Sequence, residues 1–366
     1  MKKVGLIGWR GMVGSVLMQR MQDEMDFDFF ESYFFSTSQG GEKAPVVKNG
    51  FPQLLNASDL KELSKMDILL SCQGGEYTSD IYPILRKEGW KGFWIDAAST
   101  LRMKDHAMIV LDPVNRNLIK DSIHNGTKDF VGGNCTVSLM LIALHGLFKA
   151  GHVEWMTSMT YQAASGAGAK NMLELLAQMN IVGESYKSHP SLGALEMEKE
   201  INTLLGSPNF PKENFGHPLS LNLLPWIDSE LPSGQSKEEW KAQVEANKIL
   251  QTKTIIPIDG TCVRVGALRC HSQALTIKLN KNIPIGEIEG MIQEANSWVK
   301  LIPNKKTESM AQLSPAAVSG KMHVPIGRLR KMTLGDDFLN AFTCGDQLLW
   351  GAAEPLRCVL RQIINQ

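Results

Sequence analysis

Apolar positions in the first third of the chain come in short blocks, each closed by glycine or hydroxyl residues. Lys3 to Ile7 has the length of a buried strand and runs straight into Gly8-Trp9-Arg10-Gly11-Met12-Val13-Gly14. Beyond that turn the apolar spacing becomes helical, from about Val13 to Met21. Tyr33-Phe34-Phe35 is the next strand candidate and ends in Ser36-Thr37-Ser38. Asp67 to Cys72 follows and closes on Gln73-Gly74-Gly75, and Trp94 to Thr100 repeats the pattern, with a helical stretch from Ser79 to Glu88 between them. Strands alternating with helices predict a doubly wound α/β sheet, in which ligands bind beyond the carboxyl ends of the strands. Gln73 and the loop from Ser99 to Arg102 fall there; Arg102 is either an anion clamp or an ordinary surface arginine.

Strand, glycine-rich turn and helix is the context of a dinucleotide fingerprint, because glycines let the backbone approach a pyrophosphate at a helix start. The spacing is G-x-x-G-x-x-G. After the second strand an NAD site usually places an acidic residue for the ribose 2′-hydroxyl. This chain has hydroxyls there, and Arg10 in the turn, a combination suited to a 2′-phosphate. NADP is therefore expected, unless Ser36 to Gly41 is simply a polar turn.

Thr136 to Phe148 is apolar almost without interruption and predicts a buried helix with Cys135 at its mouth. The unpaired N–H groups and positive dipole end of a first turn favour thiolate over thiol. The bland alternative is a buried, inert cysteine. Gly132 and Gly133 before it permit a tight turn or a close approach to a ligand.

Further on, Met156 to Gln162 reads as a strand and Ala164 to Ala169 as a flexible small-residue loop. Leu173 to Met179 and Ala194 to Leu205 are amphipathic and suit packing or subunit surfaces. Ser236 and Glu239 fit a capping box opening a helix to about Leu250. Glu238 and Lys241 then share a face, as an exposed ion pair or as a carboxylate for a substrate ammonium beside an ammonium for a substrate anion. Thr261 to Val265 alternates as a half-buried strand, Gly266 to Ser272 follows, and Ala274 to Leu279 is another strand. His271 is structural, or meets Cys135 in the fold as its acid/base partner.

The chain has 366 residues, which favours two domains, with Lys+Arg 38 and Asp+Glu 38. A net charge of zero gives no nucleic-acid footprint. Arg10 interrupts the apolar start as no signal peptide would, and no run is long enough to span a bilayer, so a cytoplasmic protein is expected. The six cysteines are scattered, indicating neither a disulfide framework nor a structural zinc site.

Gly8 to Gly14, Gly133-Asn134-Cys135, Glu238-Glu239-Trp240-Lys241, and Arg264 with Gly266 to Gln273 together resemble the bacterial aspartate-β-semialdehyde dehydrogenases. The resemblance runs from the first strand to the C-terminal helix. It implies an α/β fold: a Rossmann-type dinucleotide-binding domain (1–133 plus 354–366) and an α+β catalytic and dimerisation domain (134–353), forming a homodimer. It also implies NADPH-dependent reduction of L-β-aspartyl phosphate to L-aspartate β-semialdehyde with release of phosphate, through a cysteine thioester, in lysine, methionine and threonine synthesis. Motif by motif, Cys135 would be the nucleophile, His271 the acid/base and Gln162 the substrate-orienting glutamine. Arg264 would hold the α-carboxylate and Glu238 the α-ammonium, with Arg102 and Lys241 at the phosphate site and Asn134 also binding substrate. Gly8, Arg10, Gly11, Met12, Val13, Gly14, Thr37, Ser38, Gln73, Ser165, Gly166, Gly168 and Gln347 would contact NADP; no metal is expected.

Three rivals stand beside this reading. Another acyl-phosphate reductase, such as one acting on N-acetylglutamyl phosphate, has no need of Glu238, because an acylated amine carries no ammonium. A non-catalytic NADP-binding regulator would tolerate loss of Cys135 or His271. A cysteine hydrolase would leave the glycine turn without a purpose.

Overall fold

The computed structural model describes residues 1–365; Gln366, placed above in the dinucleotide-binding domain, lies outside them. The first sheet has seven parallel strands, in spatial order Leu55–Asn56, Glu31–Ser36, Lys3–Ile7, Ile68–Ser71, Phe93–Asp96, Asp129–Gly132 and Ala107–Val110. Alternate residues face opposite sides, as a pleated backbone requires. Leu6, Leu70, Ile95 and Phe130 join a core with the C-terminal helix Glu354–Ile364, while Ile7, Leu69, Trp94 and Val131 join another with Tyr77 and Leu85. The strand order reverses between Lys3–Ile7 and Ile68–Ser71, so the glycine turn emerges at the switch point where open α/β sheets bind ligands.

The second sheet is mixed. Its eight strands include the sequence Val324–Met332, Gly335–Gly345, His271–Leu279, Val153–Gln162 and Cys262–Val265 from one side to the other. One face packs on the helix Cys135–Lys149, whose Val137, Leu141 and Leu144 meet Met156, Leu275, Ile277 and Leu339. That helix is apolar nearly all round because it is covered on all sides. At Gly146 the neighbouring chain comes so close that a Cβ would lie 2.0 Å from the Met291 carbonyl oxygen. Alternation along Val153–Gln162 leaves Met159 and Tyr161 exposed on the opposite face.

Three local expectations need correction. The helix expected from Ser79 begins at Gly75 and ends at Lys87; Gly74, at φ +101°, turns the chain directly into it. The segment expected to be a flexible loop is a turn of 3-10 helix, Ala164–Ala167, with Ala164 and Ser165 buried. His271 opens the strand His271–Leu279 rather than preceding it, because it pairs with Gly345. No helix among the described residues is long and apolar enough to cross a membrane.

Candidate active site

Cys135 is the first residue of its helix, which starts beyond the carboxyl end of Asp129–Gly132. The side chain of Asn134 caps that helix, accepting from the N–H groups of Thr136 (2.9 Å) and Val137 (3.2 Å). Three strands of the second sheet then bring polar side chains to the same level. Arg264 is paired with Gln162, and Ser272 with Tyr161, which sets His271 one step on, level with Gln162. All three are buried.

The capping box forms as expected: the Ser236 N–H donates to Glu239 Oε2 at 2.7 Å, and Ser236 Oγ accepts from the Glu239 N–H. The helix Lys237–Leu250 thereby turns Glu238 and Lys241 inward. Lys241 donates to Glu238 (3.0 Å) and to Asp228 (2.7 Å). Glu238 Oε1 also accepts from the amides of Asn134 (2.9 Å) and Gln162 (3.2 Å). The exposed ion pair is thus excluded. Arg102 is likewise no surface arginine: it donates to the carbonyl of Gly132 and pairs with Glu245 at 3.1 Å. Arg264 differs from these cations. Its Nη1 donates to the Ala163 carbonyl, and among the described residues it makes no ion pair.

These groups line one cavity of about 460 Å³. It contains Cys135, Asn134, Gln162, Arg102, Glu238, Lys241 and Arg264, with Ser165, Gly166 and Gln347, and it reaches Val13 on the helix after the glycine turn. A second cavity of about 560 Å³, lined by Met103, His106, Gln243 and Lys248 among others, contains none of the residues nominated above.

His271 lies behind the cavity wall, beneath Gly166: a Cβ built on Gly166 would come within 3.0 Å of His271 Nε2. Its Nδ1 accepts the Ala163 N–H at 3.0 Å, which puts the proton of the neutral ring on Nε2. Nε2 is buried without a partner among the described residues. The preceding residue, Cys270, holds a left-handed φ of +78°, a strained conformation for a side-chain-bearing residue. Gln347 secures that corner by accepting the Cys270 N–H (2.8 Å) and donating to Ser165 Oγ.

Burial pushes the Cys135 thiol up to about 12, and the Glu238 carboxylate adds to this, while Arg102, Arg264 and Lys241 pull it down. Burial therefore opposes the thiolate that a helix start favours. Burial, with Arg264 alongside, pushes His271 down to about 3.

The dinucleotide residues gather at the carboxyl ends of the first sheet. Gly8 has φ +71° and would clash with Cys72 if it carried a Cβ; one on Gly14 would lie 2.2 Å from the Gly8 carbonyl oxygen. Gly11 is exposed, and the helix Met12–Asp23 that follows has no side-chain cap. That leaves its first amides for an anion, as a pyrophosphate needs. Arg10 donates to Ser36 Oγ at 2.9 Å, beside exposed Thr37 and Ser38. Gln73 is exposed after Ile68–Ser71, and Gly168, at φ +108°, opens the helix Ala169–Ser188. These residues fit a bound dinucleotide.

Three groups escaped the sequence reading. Asp228 and Glu245 partner Lys241 and Arg102. Gly351 sits in a turn of π-helix, Leu349–Ala353, where a Cβ would lie 2.8 Å from Cys135 Cβ and 3.0 Å from its Cα. The spacing of Glu245 from Glu238 and Lys241 was the available signal for one of them.

Residues 3–122 match the family model of the semialdehyde dehydrogenase NAD-binding domain, and residues 144–350 that of the semialdehyde dehydrogenase dimerisation domain. The aspartate semialdehyde dehydrogenase of Francisella tularensis is 52% identical, with a TM-score of 0.97 over 99% of this chain and 100% of that one. Aspartate semialdehyde dehydrogenase II of Vibrio cholerae, solved with ASA, is 23% identical with a TM-score of 0.82 over 100% and 99% of the two chains. The Candida albicans enzyme, solved with NADP, is 15% identical with a TM-score of 0.68 over 100% and 98%. The last two establish likeness of fold.

Two outcomes follow from the geometry. His271 is held below its ordinary value of 6.5, so between about 3 and 6.5 the unfolded chain binds a proton that the folded chain refuses. The stability this contributes is complete above that window and is lost as pH falls through it, by about 2 kcal/mol between pH 7 and 5. Urea unfolding of the wild type and of His271→Asn at both pH values should show that extra loss in the wild type only; equal losses would mean the ring is not held neutral. For Gly351→Ala, alkylation of Cys135 by iodoacetamide, followed by mass spectrometry, should slow about tenfold as the cysteine is displaced. An unchanged rate would show that its seat has room for a methyl group.

Proposed function

This chain belongs to the aspartate-semialdehyde dehydrogenase family, and we propose that it reduces L-β-aspartyl phosphate to L-aspartate β-semialdehyde with NADPH, releasing phosphate, on the route to lysine, methionine and threonine. The observation that carries the reading is a single cavity joining a helix-start cysteine, an unpaired buried arginine, a buried carboxylate and the helix of the glycine turn. Arg264 takes the substrate α-carboxylate through its planar fork. Glu238 takes the α-ammonium, which separates this substrate from an N-acylated one. Arg102, Lys241 and Asn134 surround the phosphate, and Gln162 orients the acyl group.

Binding prepares the nucleophile. Burial and Glu238 hold the thiol proton in place, and a substrate ammonium on Glu238 offsets the negative neighbour's share of that hold. The Cys135 sulfur bonds to the acyl carbon, the bond from that carbon to the phosphate oxygen breaks, and the thiol proton leaves with phosphate. The product is a thioester on Cys135, which divides one hard step into two. A dinucleotide held at the Gly8–Gly14 turn would supply the hydride that reduces the acyl carbon. His271 is the acid/base of this reading; its neutral ring holds its proton on Nε2, behind the Gly166 turn, and would reach the resulting oxyanion once that turn shifts. The carbon–sulfur bond breaks, the aldehyde leaves, and the sulfur regains a proton from solvent.

NADP is favoured over NAD by Arg10, Ser36, Thr37 and Ser38 at the end of the second strand. A homodimer suits the dimerisation-domain match and the exposed Leu173, Leu176, Met179 and Tyr186 on one helix. Residues 1–133 with 354–366 serve the nucleotide, and 134–353 the substrate and the partner subunit.

The reverse reaction provides the assay. Semialdehyde, phosphate and NADP together should produce NADPH absorbance, and omission of any one should abolish it; turnover without phosphate would sink the proposal. Cys135→Ala should show no acyl-enzyme in a mass spectrum, and a surviving adduct would take Cys135 out of the role. Arg264→Leu should lose about 2–5 kcal/mol of transition-state binding and keep its affinity for NADP. Parallel loss of both would make Arg264 structural.

A further inference from the structure

Glu245 lies on the helix Lys237–Leu250 at the fourth residue after Lys241 and the seventh after Glu238, so all three share one face. It does not line the cavity, and its carboxylate is buried at 2% exposure. Its two oxygens are divided between two residues that do line it. Oε1 meets Arg102 Nη1 at 3.1 Å, and Oε2 accepts the backbone N–H of Asn134 at 2.6 Å. Arg102 also donates from Nε to the Gly132 carbonyl (2.7 Å) and from Nη2 to the Ala97 carbonyl (3.3 Å). Of its five N–H groups three are thus fixed, leaving one on each Nη for an anion. Asn134 precedes Cys135 and caps its helix, so the same carboxylate anchors the start of the nucleophile's helix.

We propose that Glu245 is a positioning residue for the reaction: it aims the free N–H groups of Arg102 at the leaving phosphate and fixes the amide beside Cys135. This rests on the function proposed above. A glutamine in its place cannot accept from both partners, because its –NH2 would face a donor on one side. Aspartate keeps the charge and lacks the reach.

The test measures the Glu245→Gln and Glu245→Asp enzymes in the phosphate-dependent direction. In Glu245→Gln the KM for phosphate should rise and kcat fall, each about tenfold, while the KM for semialdehyde and the affinity for NADP stay within about twofold. Glu245→Asp should recover only a small part of this, and it carries the same comparison should the glutamine variant fail to fold. Calorimetric titration of the NADP-loaded enzyme with inorganic phosphate reads Arg102 without turnover, and should show about tenfold weaker binding in Glu245→Gln. Wild-type phosphate affinity in both variants, full recovery by aspartate, or parallel rises in both KM values would overturn the positioning role. A wild-type enzyme that binds phosphate and does not turn over would instead count against the proposed reaction.

Discussion

Everything in the site is hung from one charged helix face that the fold has buried. Taking Glu238, Lys241 and Glu245 out of water costs several kcal/mol for each charge unless partners replace the lost hydration. Burial alone would raise the Glu238 carboxyl, yet Lys241 and the amides of Asn134 and Gln162 outweigh it and hold the group below the usual carboxylate range. Burial would lower Lys241, and Glu238 and Asp228 outweigh that in turn. Both therefore stay charged. The partners that make this possible come from the Cys135 helix, from the strand Val153–Gln162 and from the Arg102 loop of the first sheet. None of these elements can move without leaving a buried charge exposed to an apolar surround. The same contacts that make the charges tolerable thus fix where the nucleophile, the glutamine and the anion clamp stand relative to one another.

Much of this was legible in the chain, and the limits of legibility are physical. Four strands of the first sheet, the glycine turn and the apolar helix after Cys135 announce themselves because each is a local pattern of sterics and burial. So does the Ser236–Glu239 capping box, a reciprocal pair only three residues apart. The strands Leu55–Asn56, Ala107–Val110 and Asp129–Gly132 went unread. What stayed hidden depends on register between distant segments. Arg264, Gln162 and His271 share one level only because the flanking strands pair as they do. Glu245 shows the same helical spacing as Glu238 and Lys241, but an acidic residue late in a helix ordinarily faces water, and nothing local says that Arg102 will meet it. Gly351 is invisible for a different reason: its meaning is the space it leaves for a residue far away in the sequence. The state of Cys135 is left open between a helix-start thiolate and a buried thiol, because a helix start can be weighed from sequence, whereas burial and a neighbouring carboxylate cannot.

Arg264 shows what this arrangement leaves undone. Arg102 has Glu245, and Lys241 has Glu238 and Asp228, each at ion-pair distance. Arg264 is as deeply buried as they are and among the described residues has a single carbonyl for a partner, and burial depresses its tendency to hold its proton. A chain optimised only for stability would give such a guanidinium a carboxylate or replace it with an apolar side chain. Guanidinium groups stay protonated even so, and the cost of keeping one unpaired must be recovered elsewhere. An α-carboxylate arriving in the cavity recovers it on binding, and only for ligands that carry the group. Cys135 is governed by other causes: burial first, and the Glu238 carboxylate after it, push its thiol up against the pull of Arg102, Arg264 and Lys241. Among the described residues, Arg102 and Lys241 have carboxylates at ion-pair distance and Arg264 has none, which marks where a ligand's carboxylate belongs.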